Sequence, residues 1–154
     1  MPYTTIDKAP DHFNTKLYTG TGSAASITGV GFQPDWVWAK DRTSANSHQL
    51  SDAVRGVTKT LFSDATAAEV TDAQRLTAFG TDGFSVGTNS SWNTNSNNYV
   101  SWNWKAGGAG STNTDGNMNS TVTTSANTTA GFSIITWTGS GNTIYNTIGH
   151  GLGA

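Results

Sequence analysis

The sequence predicts an all-β fold, and three features of its composition favour that class. Thr, Gly, Ser and Asn make up almost half of the 154 residues, and these types favour strands and turns. The chain also contains 6 Trp, 6 Phe and 4 Tyr, whereas disordered chains are poor in aromatic residues. Leu, Glu, Lys and Arg, which form helices well, are scarce. We therefore expect one folded domain, which is the default at this length.

The local composition divides the chain into four segments. Residues 1–16 contain two prolines and no sustained period, which predicts an N-terminal arm. Residues 17–108 carry short strand-like runs between Gly and Ser clusters, which predicts a β-sandwich module. Residues 109–128 have the composition of a Gly/Ser/Thr/Asn-rich loop or linker. Residues 129–154 return to strand character, as closing strands or as the start of a second copy of the module.

The first half of the module contains short strands separated by polar loops. Residues 17–32 predict two short strands and a turn, residues 41–53 a loop, and residues 54–61 a further strand. The next stretch is the only helix-compatible piece of the chain, with Asp64 as a candidate N-cap and Glu69 in an Ala-rich turn. We therefore expect at most one short helix.

Two segments, 34–40 and 99–105, alternate strongly between large and small side chains, which predicts strands. In each segment two tryptophans share one face. Because a sandwich this poor in Leu and Ile needs bulky aromatic residues inside, we expect this face to be buried. The four tryptophans are Trp36, Trp38, Trp102 and Trp104.

The second half of the module contains the clearest hairpin of the sequence. Its strands are Leu76–Phe79 and Phe84–Val86, and the turn between them ends in an Asp-Gly pair, which supplies the positive φ of a tight turn. Residues 88–98 are rich in Asn and Ser and predict a loop. Residues 131–138 predict a last strand.

An internal similarity links the two ends of the chain. Tyr18–Gly22 matches Trp137–Gly141, and Gly29–Phe32 matches Gly149–Leu152, about 120 residues further on. The first copy leads straight into the next strand, whereas the second stops at Ala154. We therefore expect one whole module plus the opening of a second one, or a tail that completes the module's own sheet.

The low charge of the chain excludes several classes of protein. Eight basic and 10 acidic residues give a net charge of −2, and the basic residues are scattered singly. Nucleic-acid binding needs clustered Lys and Arg, so we expect none. No apolar run approaches 18 residues, so we expect no membrane insertion. The absence of cysteine excludes disulfides and thiolate nucleophiles.

Five segments, in this order along the chain, carry a family resemblance: residues 3–23, 29–42, 54–72, 79–87 and 97–108. They resemble a repeat-containing family of tailed-bacteriophage virion proteins, which is common among marine phages and usually labelled tail-fibre or structural. The resemblance covers nearly the whole chain. It implies a jelly-roll β-sandwich of the concanavalin or laminin-G sort, carried on a virion. It supplies no established active site, so no functional residues are carried over.

The resemblance implies a bacteriophage virion structural protein at the tail or the outer surface of the particle. We expect a tail-fibre or host-attachment module whose loops recognise a host cell-surface glycan. Its partners would be other virion proteins and further copies of itself, with a homotrimer if it forms a fibre. Residues 1–16 would then dock the module on the particle. The alternative is a capsid or tail decoration or assembly protein that binds no sugar.

Trp92 is the candidate sugar contact, because it lies in the polar loop 88–98. An indole ring stacks on the C–H surface of a sugar, and neighbouring amides can bond its hydroxyl groups. The alternative is that Trp92 tucks under its own loop or packs against a neighbouring subunit. The candidate ligand-binding residues are Trp92, Asn93, Asn95, Asn97 and Asn98.

The titratable residues offer little for catalysis, so we expect no enzyme. Glycoside hydrolysis needs two facing carboxylates, but Glu69 is the only glutamate and most aspartates lie in turn contexts. A depolymerase that acts on surface polysaccharide stays open as a minor alternative. Asp41 and Asp52 bracket a polar loop of the kind that can bind Ca²⁺, but no dense carboxylate cluster supports it. We therefore expect no metal and no cofactor, and the three histidines, His12, His48 and His150, are far apart.

Overall fold

The computed structural model describes residues 8–118, 122–141 and 145–153, and these residues form an all-β fold of antiparallel sheets. A short 3-10 helix, Ala9–Asp11, precedes the first strand, and one short helix, α1, spans Ser90–Asn93. The strands are β1 (Phe13–Thr19), β2 (Ala25–Thr28), β3 (Trp36–Asp41), β4 (Gln49–Asp52), β5 (Lys59–Phe62), β6 (Val70–Thr71), β7 (Leu76–Gly80), β8 (Gly83–Val86), β9 (Asn98–Trp104), β10 (Ser111–Thr112), β11 (Thr123–Asn127) and β12 (Phe132–Thr136).

The largest sheet has six strands in the order β1-β9-β3-β4-β5-β6. Strand β9 lies between β1 and β3, so that Trp102 faces Thr15 on one side and Trp38 on the other. Because side chains alternate between the two faces of a strand, the sheet has an inner face and an outer face. The inner face carries the fully buried Val37 and Ala39.

The second sheet has three strands in the order β2-β8-β7, and it covers the inner face of the first. The predicted hairpin is confirmed as β7 and β8, and Gly83 at its turn has a φ of 145°. The core between the two sheets is small because the chain is only 34% hydrophobic. Its buried members are Ile27, Val37, Ala39, Leu76, Phe84, Val86 and Trp92.

The third sheet, in the order β10-β11-β12, contacts the outer face of the six-stranded sheet. The ring of Phe132 on β12 stacks on Trp104, with ring centroids 6.1 Å apart, and lies 5.9 Å from the ring of Trp36. Residues 109–128, predicted as a loop or linker, contain the whole of β10 and β11. These strands are rich in Ser and Thr, so their composition resembled that of a linker.

Two further expectations need correction. The predicted N-terminal arm is wrong for residues 13–16, because β1 pairs with β9 along its whole length; residues 1–7 lie outside the described residues. The helix-compatible stretch around Asp64 and Glu69 contains turns and the short strand β6 in place of a helix.

Among the described residues, no helix is long and apolar enough to cross a membrane.

The strands 34–40 and 99–105 form as predicted, but the buried face is the opposite one. The four tryptophans expected in the core lie on the outer face and are half-buried. The residues that alternate with the outward-facing ones point inwards, where Tyr99, Ser101 and Asn103 are at most 1% exposed. The core therefore accepts polar side chains, because Asn103 donates to the Ser101 hydroxyl oxygen at 3.1 Å and to the Asn14 carbonyl oxygen at 3.0 Å.

Candidate functional site

The predicted sugar contact, Trp92, lies inside the molecule. The side chain of Asn89 caps α1 by accepting a hydrogen bond from the Ser91 amide at 2.9 Å, and this turn directs Trp92 inwards. Its side chain is fully buried and packs edge-on against Phe84, with ring centroids 6.2 Å apart. The expectation that this ring is exposed is wrong. Stacking on a sugar requires a free face of the indole, and the buried side chain of Trp92 offers none. Trp92 is instead buried within its own chain, in the core cluster with Phe84 and Val86.

Asn93 joins this loop to the turn after β1. Its Oδ1 accepts from the Thr21 amide at 2.7 Å, and its Nδ2 donates to the carbonyl oxygens of Ser23 at 2.6 Å and Gly87 at 2.8 Å. The side chain is 1% exposed, so these contacts use its hydrogen-bonding capacity inside the fold. Asn93 therefore holds two turns together.

The remaining three asparagines divide between structural and exposed positions. Asn97 donates from Nδ2 to Asp41 and to the Ser44 hydroxyl, both at 2.9 Å. Asn95 and Asn98 are exposed. The structure thus does not bring the five predicted ligand-binding residues to one open surface.

Asp41 is a buried carboxylate at the end of β3 that organises the following loop. It accepts hydrogen bonds from the amides of Thr43 and Ser44 at 2.8 and 3.0 Å, and from the side chains of Asn46 and Asn97 at 2.9 Å each. Burial alone would raise its pKa, but these four donors outweigh burial and hold the pKa of Asp41 below its ordinary value of 3.8. Asp41 therefore remains ionised and is saturated by donors.

Asp52, the other candidate calcium ligand, belongs to a separate ion-pair network. Its Oδ2 lies 2.6 Å from Arg55 Nε, and Arg55 Nη1 lies 3.0 Å from Glu69. Asp41 and Asp52 thus take different partners, and both are occupied by nitrogen donors. Within the described ranges, no group of three His, Asp or Glu side chains could hold a metal ion.

The three histidines serve separate local contacts. His48 Nδ1 accepts a hydrogen bond from Trp38 Nε1 at 2.8 Å on the outer face. His12 Nδ1 lies 3.0 Å from Asn127 Nδ2, and His150 Nδ1 accepts from the Leu152 amide at 3.1 Å. The structure does not gather them into one site.

The outer face of the six-stranded sheet is the most unusual surface of the molecule, because it is apolar on a protein of uncharged polar composition. Leu17 is 60% exposed, and Leu61 and Phe13 are 38% and 37% exposed. Lys40 also lies on this face, but its ammonium group donates to the carbonyl oxygens of Asp41 and Asn46, both at 2.7 Å. The apolar residues of the outer face are Phe13, Leu17, Trp36, Trp38, Leu50, Leu61, Val100, Trp102 and Trp104.

A cleft of about 470 Å³ lies where β12 meets the outer face. Trp36, Leu50 and Leu61 line it from the sheet, and Trp137 lines it from the chain after β12. Trp137 is 55% exposed, so one indole ring is accessible beside the Asp52–Arg55 ion pair, which also lines the cleft. The cleft therefore combines an apolar floor with charged hydrogen-bonding groups.

Sequence analysis identified the tryptophans of this face but not its exposed members. The signal was present in β1, where Phe13, Thr15 and Leu17 alternate with polar or charged residues. The predicted arm ends at residue 16, in the middle of β1, so the alternation is divided between two predicted segments and does not indicate one strand with an apolar face.

The fold defines an all-β protein of antiparallel sheets with an apolar outer face. Over residues 8–154 the chain matches the family described as "Domain of unknown function (DUF7483)", and it belongs to that family. No curated protein and no solved structure matches the chain.

Proposed function

We propose that this protein is a non-enzymatic structural module of a tailed-phage virion, which assembles with other copies of itself through the outer face. The virion setting rests on the resemblance of the sequence, and so does the expected jelly-roll topology of the concanavalin or laminin-G sort. The apolar outer face is the observation that carries the assembly role. The resemblance also implies a homotrimer if the protein forms a fibre, and a location at the tail or the outer surface of the particle.

The physical argument is the cost of leaving such a face in water. Soluble monomers rarely expose a large contiguous apolar patch, and such patches mark protein–protein contacts. Aromatic residues are enriched at the centre of interfaces, whereas charged side chains are depleted there. The outer face has aromatic and leucine side chains of this kind, and the ammonium group of Lys40 is turned towards backbone carbonyl oxygens. Its charged pair, Asp52 and Arg55, lies in the cleft beside Trp36.

Leu17→Lys tests the proposal, because Leu17 is the most exposed apolar side chain of the outer face. An ammonium group at this position would be buried without a partner in the assembly, whereas in the monomer it would point to water. We expect sedimentation velocity to show self-association of the unmodified chain, weakened by at least about tenfold in the variant. Circular dichroism should be unchanged, since lysine is common on edge strands.

The matched control is Tyr145→Lys, because Tyr145 is 99% exposed and does not belong to the outer face. This variant should associate as the unmodified chain does. A chain that stays monomeric at all concentrations, or equal weakening by both substitutions, would contradict assembly through the outer face. Mass spectrometry of purified particles tests the virion location, and absence of the chain from them would contradict it.

Host-glycan attachment is the second candidate, and the cleft beside Trp137 favours it. An accessible indole next to a carboxylate and a guanidinium group can stack on a sugar ring and bond its hydroxyl groups. If the protein binds on a glycan array, Trp137→Ala should abolish the binding and Tyr145→Ala should not. Glycan binding that survives Trp137→Ala would rule out this cleft, and turnover of host polysaccharide would overturn the non-enzymatic role.

A further inference from the structure

The similarity between the two ends of the chain extends over the whole of β1. Phe13–Gly22 and Phe132–Gly141 align without a gap, and Phe, Thr and both glycines occupy the same positions in the two segments. Tyr18 corresponds to Trp137, so an aromatic residue is kept there too. The shared residues are the phenylalanine that begins each strand and the Thr and Gly residues that follow β12, so the segment 132–141 repeats part of the pattern of 13–22.

The backbone repeats the similarity. Both segments begin as strands at the phenylalanine, in β1 and β12. In the turns that follow, Gly22 and Gly141 both adopt the left-handed conformation, with φ values of 72° and 70°. The two segments therefore begin as strands and reach the same left-handed glycine, but β1 continues as a strand to Thr19, whereas β12 ends at Thr136.

The first segment shows which surface this pattern fits. β1 pairs with β9 in antiparallel register, and Tyr18 stacks on Tyr99 with ring centroids 4.9 Å apart. The Tyr18 hydroxyl group also donates to the Trp92 carbonyl oxygen at 2.9 Å. β1 and its turn thus dock on a surface made of α1 and β9.

The second segment carries the same docking features without that surface beside it. Among the described residues β12 pairs only with β11, and Trp137 is 55% exposed where Tyr18 is half-buried. A side chain at Gly20 would collide with the Thr94 carbonyl oxygen, which explains that glycine. A side chain at Gly139 would meet no described atom within 4 Å, and its φ is not positive, so nothing local requires glycine there.

We propose that Phe132–Gly141 is a second docking strand, and that it takes the place of β1 on the α1–β9 surface of a second copy of this chain. This inference deepens the proposed assembly function and rests on it for its setting. Gly139 would then be required by the partner's Thr94, as Gly20 is required within one chain. Trp137 would stack on the partner's Tyr99 and lose its exposure.

Exchange of this kind requires β12 to compete with β1. At the centre of the strand β12 has Ile134 and Ile135, where β1 has Thr15 and Lys16. Isoleucine has a high preference for strands, whereas lysine is depleted in them. Exchange of identical or equivalent elements between copies is a common route to oligomers.

The register of β1 and β9 fixes the experiment. Leu17 faces Val100, so the exchanged strand would place Thr136 opposite the partner's Val100. The hydrogen bonds from the Lys105 amide to His12 and from the Gly20 amide to Asn97 leave this pair in a non-hydrogen-bonded position, where the Cα atoms are close enough for a disulfide. The chain has no cysteine of its own, so introduced thiols have no competitor.

We expect a mixture of full-length Thr136→Cys and Val100→Cys chains to form a mixed disulfide dimer on mild oxidation. The double variant Leu17→Cys with Val100→Cys should form its disulfide within one chain, which verifies the chemistry. A mixture of Tyr145→Cys and Val100→Cys chains gives the background. A yield for Thr136 and Val100 that does not exceed this background would overturn the proposal.

Gly139→Val separates strand exchange from other dimers. Within one chain a side chain at this position would meet no atom of the described residues within 4 Å, so folding should be retained, but valine would collide with the Thr94 carbonyl oxygen of the partner. Added to the Thr136→Cys chain, it should lower the yield of mixed disulfide by at least about tenfold. An unchanged yield would also overturn the proposal.

The outcomes of this test and of the outer-face test are distinguishable. Loss of association in Leu17→Lys with no mixed disulfide would support the outer face and reject strand exchange. If Gly139→Val lowers the yield of mixed disulfide while Leu17→Lys leaves self-association unchanged, the results would support exchange and reject the outer face.

Discussion

At the scale of single residues, buried polar side chains hold the loops of this protein in place. Asp35 is 2% exposed and accepts hydrogen bonds from the amides of Ala106 at 2.8 Å and Gly108 at 3.1 Å. Asp41 organises the loop after β3 and is joined through Asn97 to the loop before β9. Each carboxylate thus holds a loop by hydrogen bonds, in a sequence that has few aliphatic side chains to hold it by packing.

Asp41→Asn should destabilise the fold. The carboxylate accepts four hydrogen bonds, and an amide would point an NH₂ group at one or two of those donors. Hydrogen bonds to charged groups are worth more than neutral ones, so we expect a loss of about 1–3 kcal/mol in the free energy of unfolding at pH 7. Urea denaturation of the full chain measures it.

The pH dependence of this effect has a definite sign. Because the folded pKa of Asp41 lies below 3.8, its contribution to stability is complete above that value and is lost as the pH falls through the folded pKa. The difference between the variant and the unmodified protein should therefore shrink below pH 3.8. Asp11→Asn, at an exposed position, is the control and should have little effect on the free energy of unfolding, both at pH 7 and below pH 3.8. A deficit that is independent of pH would contradict the role of the ionised carboxylate.

At the scale of elements, α1 is stabilised by what it buries and not by its length. A helix of four residues has almost no stability of its own. The cap at Asn89, the three hydrogen bonds of Asn93 and the burial of Trp92 fix it against β3 and β8.

Trp92→Ala should therefore act on stability. Removal of a fully buried indole leaves a cavity, which costs about 3–5 kcal/mol of the free energy of unfolding. Trp137→Ala is the matched control, because that ring is 55% exposed, and we expect it to cost less than about 1 kcal/mol. Thermal denaturation followed by circular dichroism compares the two. Equal midpoints would contradict the position of Trp92 in the core.

Several strands could be predicted from the sequence, but β4 lies in a stretch predicted as a loop, β10 and β11 lie in the predicted linker, and the buried face could not be predicted. Alternation located β3 and β9 within a residue or two, and the Asp-Gly turn located β7 and β8. The prediction of which face is buried rested on the assumption that large aromatic side chains are buried in preference to small polar ones. Here Asn103 donates to the Ser101 hydroxyl oxygen and to the Asn14 carbonyl oxygen inside the fold, and the tryptophans face outwards.

The candidate site was harder to predict because it depends on contacts between distant segments. The polar neighbours of Trp92 favour an exposed loop. In the structure two of them, Asn89 and Asn93, form hydrogen bonds that cap α1 and hold its loop in place. The cleft beside Trp137 forms only where β12 meets the outer face, and no local pattern reports that contact.

At the scale of the whole molecule, the three antiparallel sheets pack against one another with few aliphatic side chains between them. The second sheet covers the inner face through Ile27, Phe84 and Val86, and the third contacts the outer face through Phe132. The remaining outer face and β12 are left for contacts with other chains in the two proposals.

The polar interior has a consequence for how the protein responds to temperature. Water that contacts newly exposed apolar groups raises the heat capacity of an unfolded chain, and newly exposed polar groups lower it. A core that contains Ser101, Asn103 and Thr60 beside a few aliphatic residues should therefore unfold with a small increase in heat capacity. The curve of stability against temperature is then broad and shallow, so cold weakens this protein less than it weakens one with an aliphatic core.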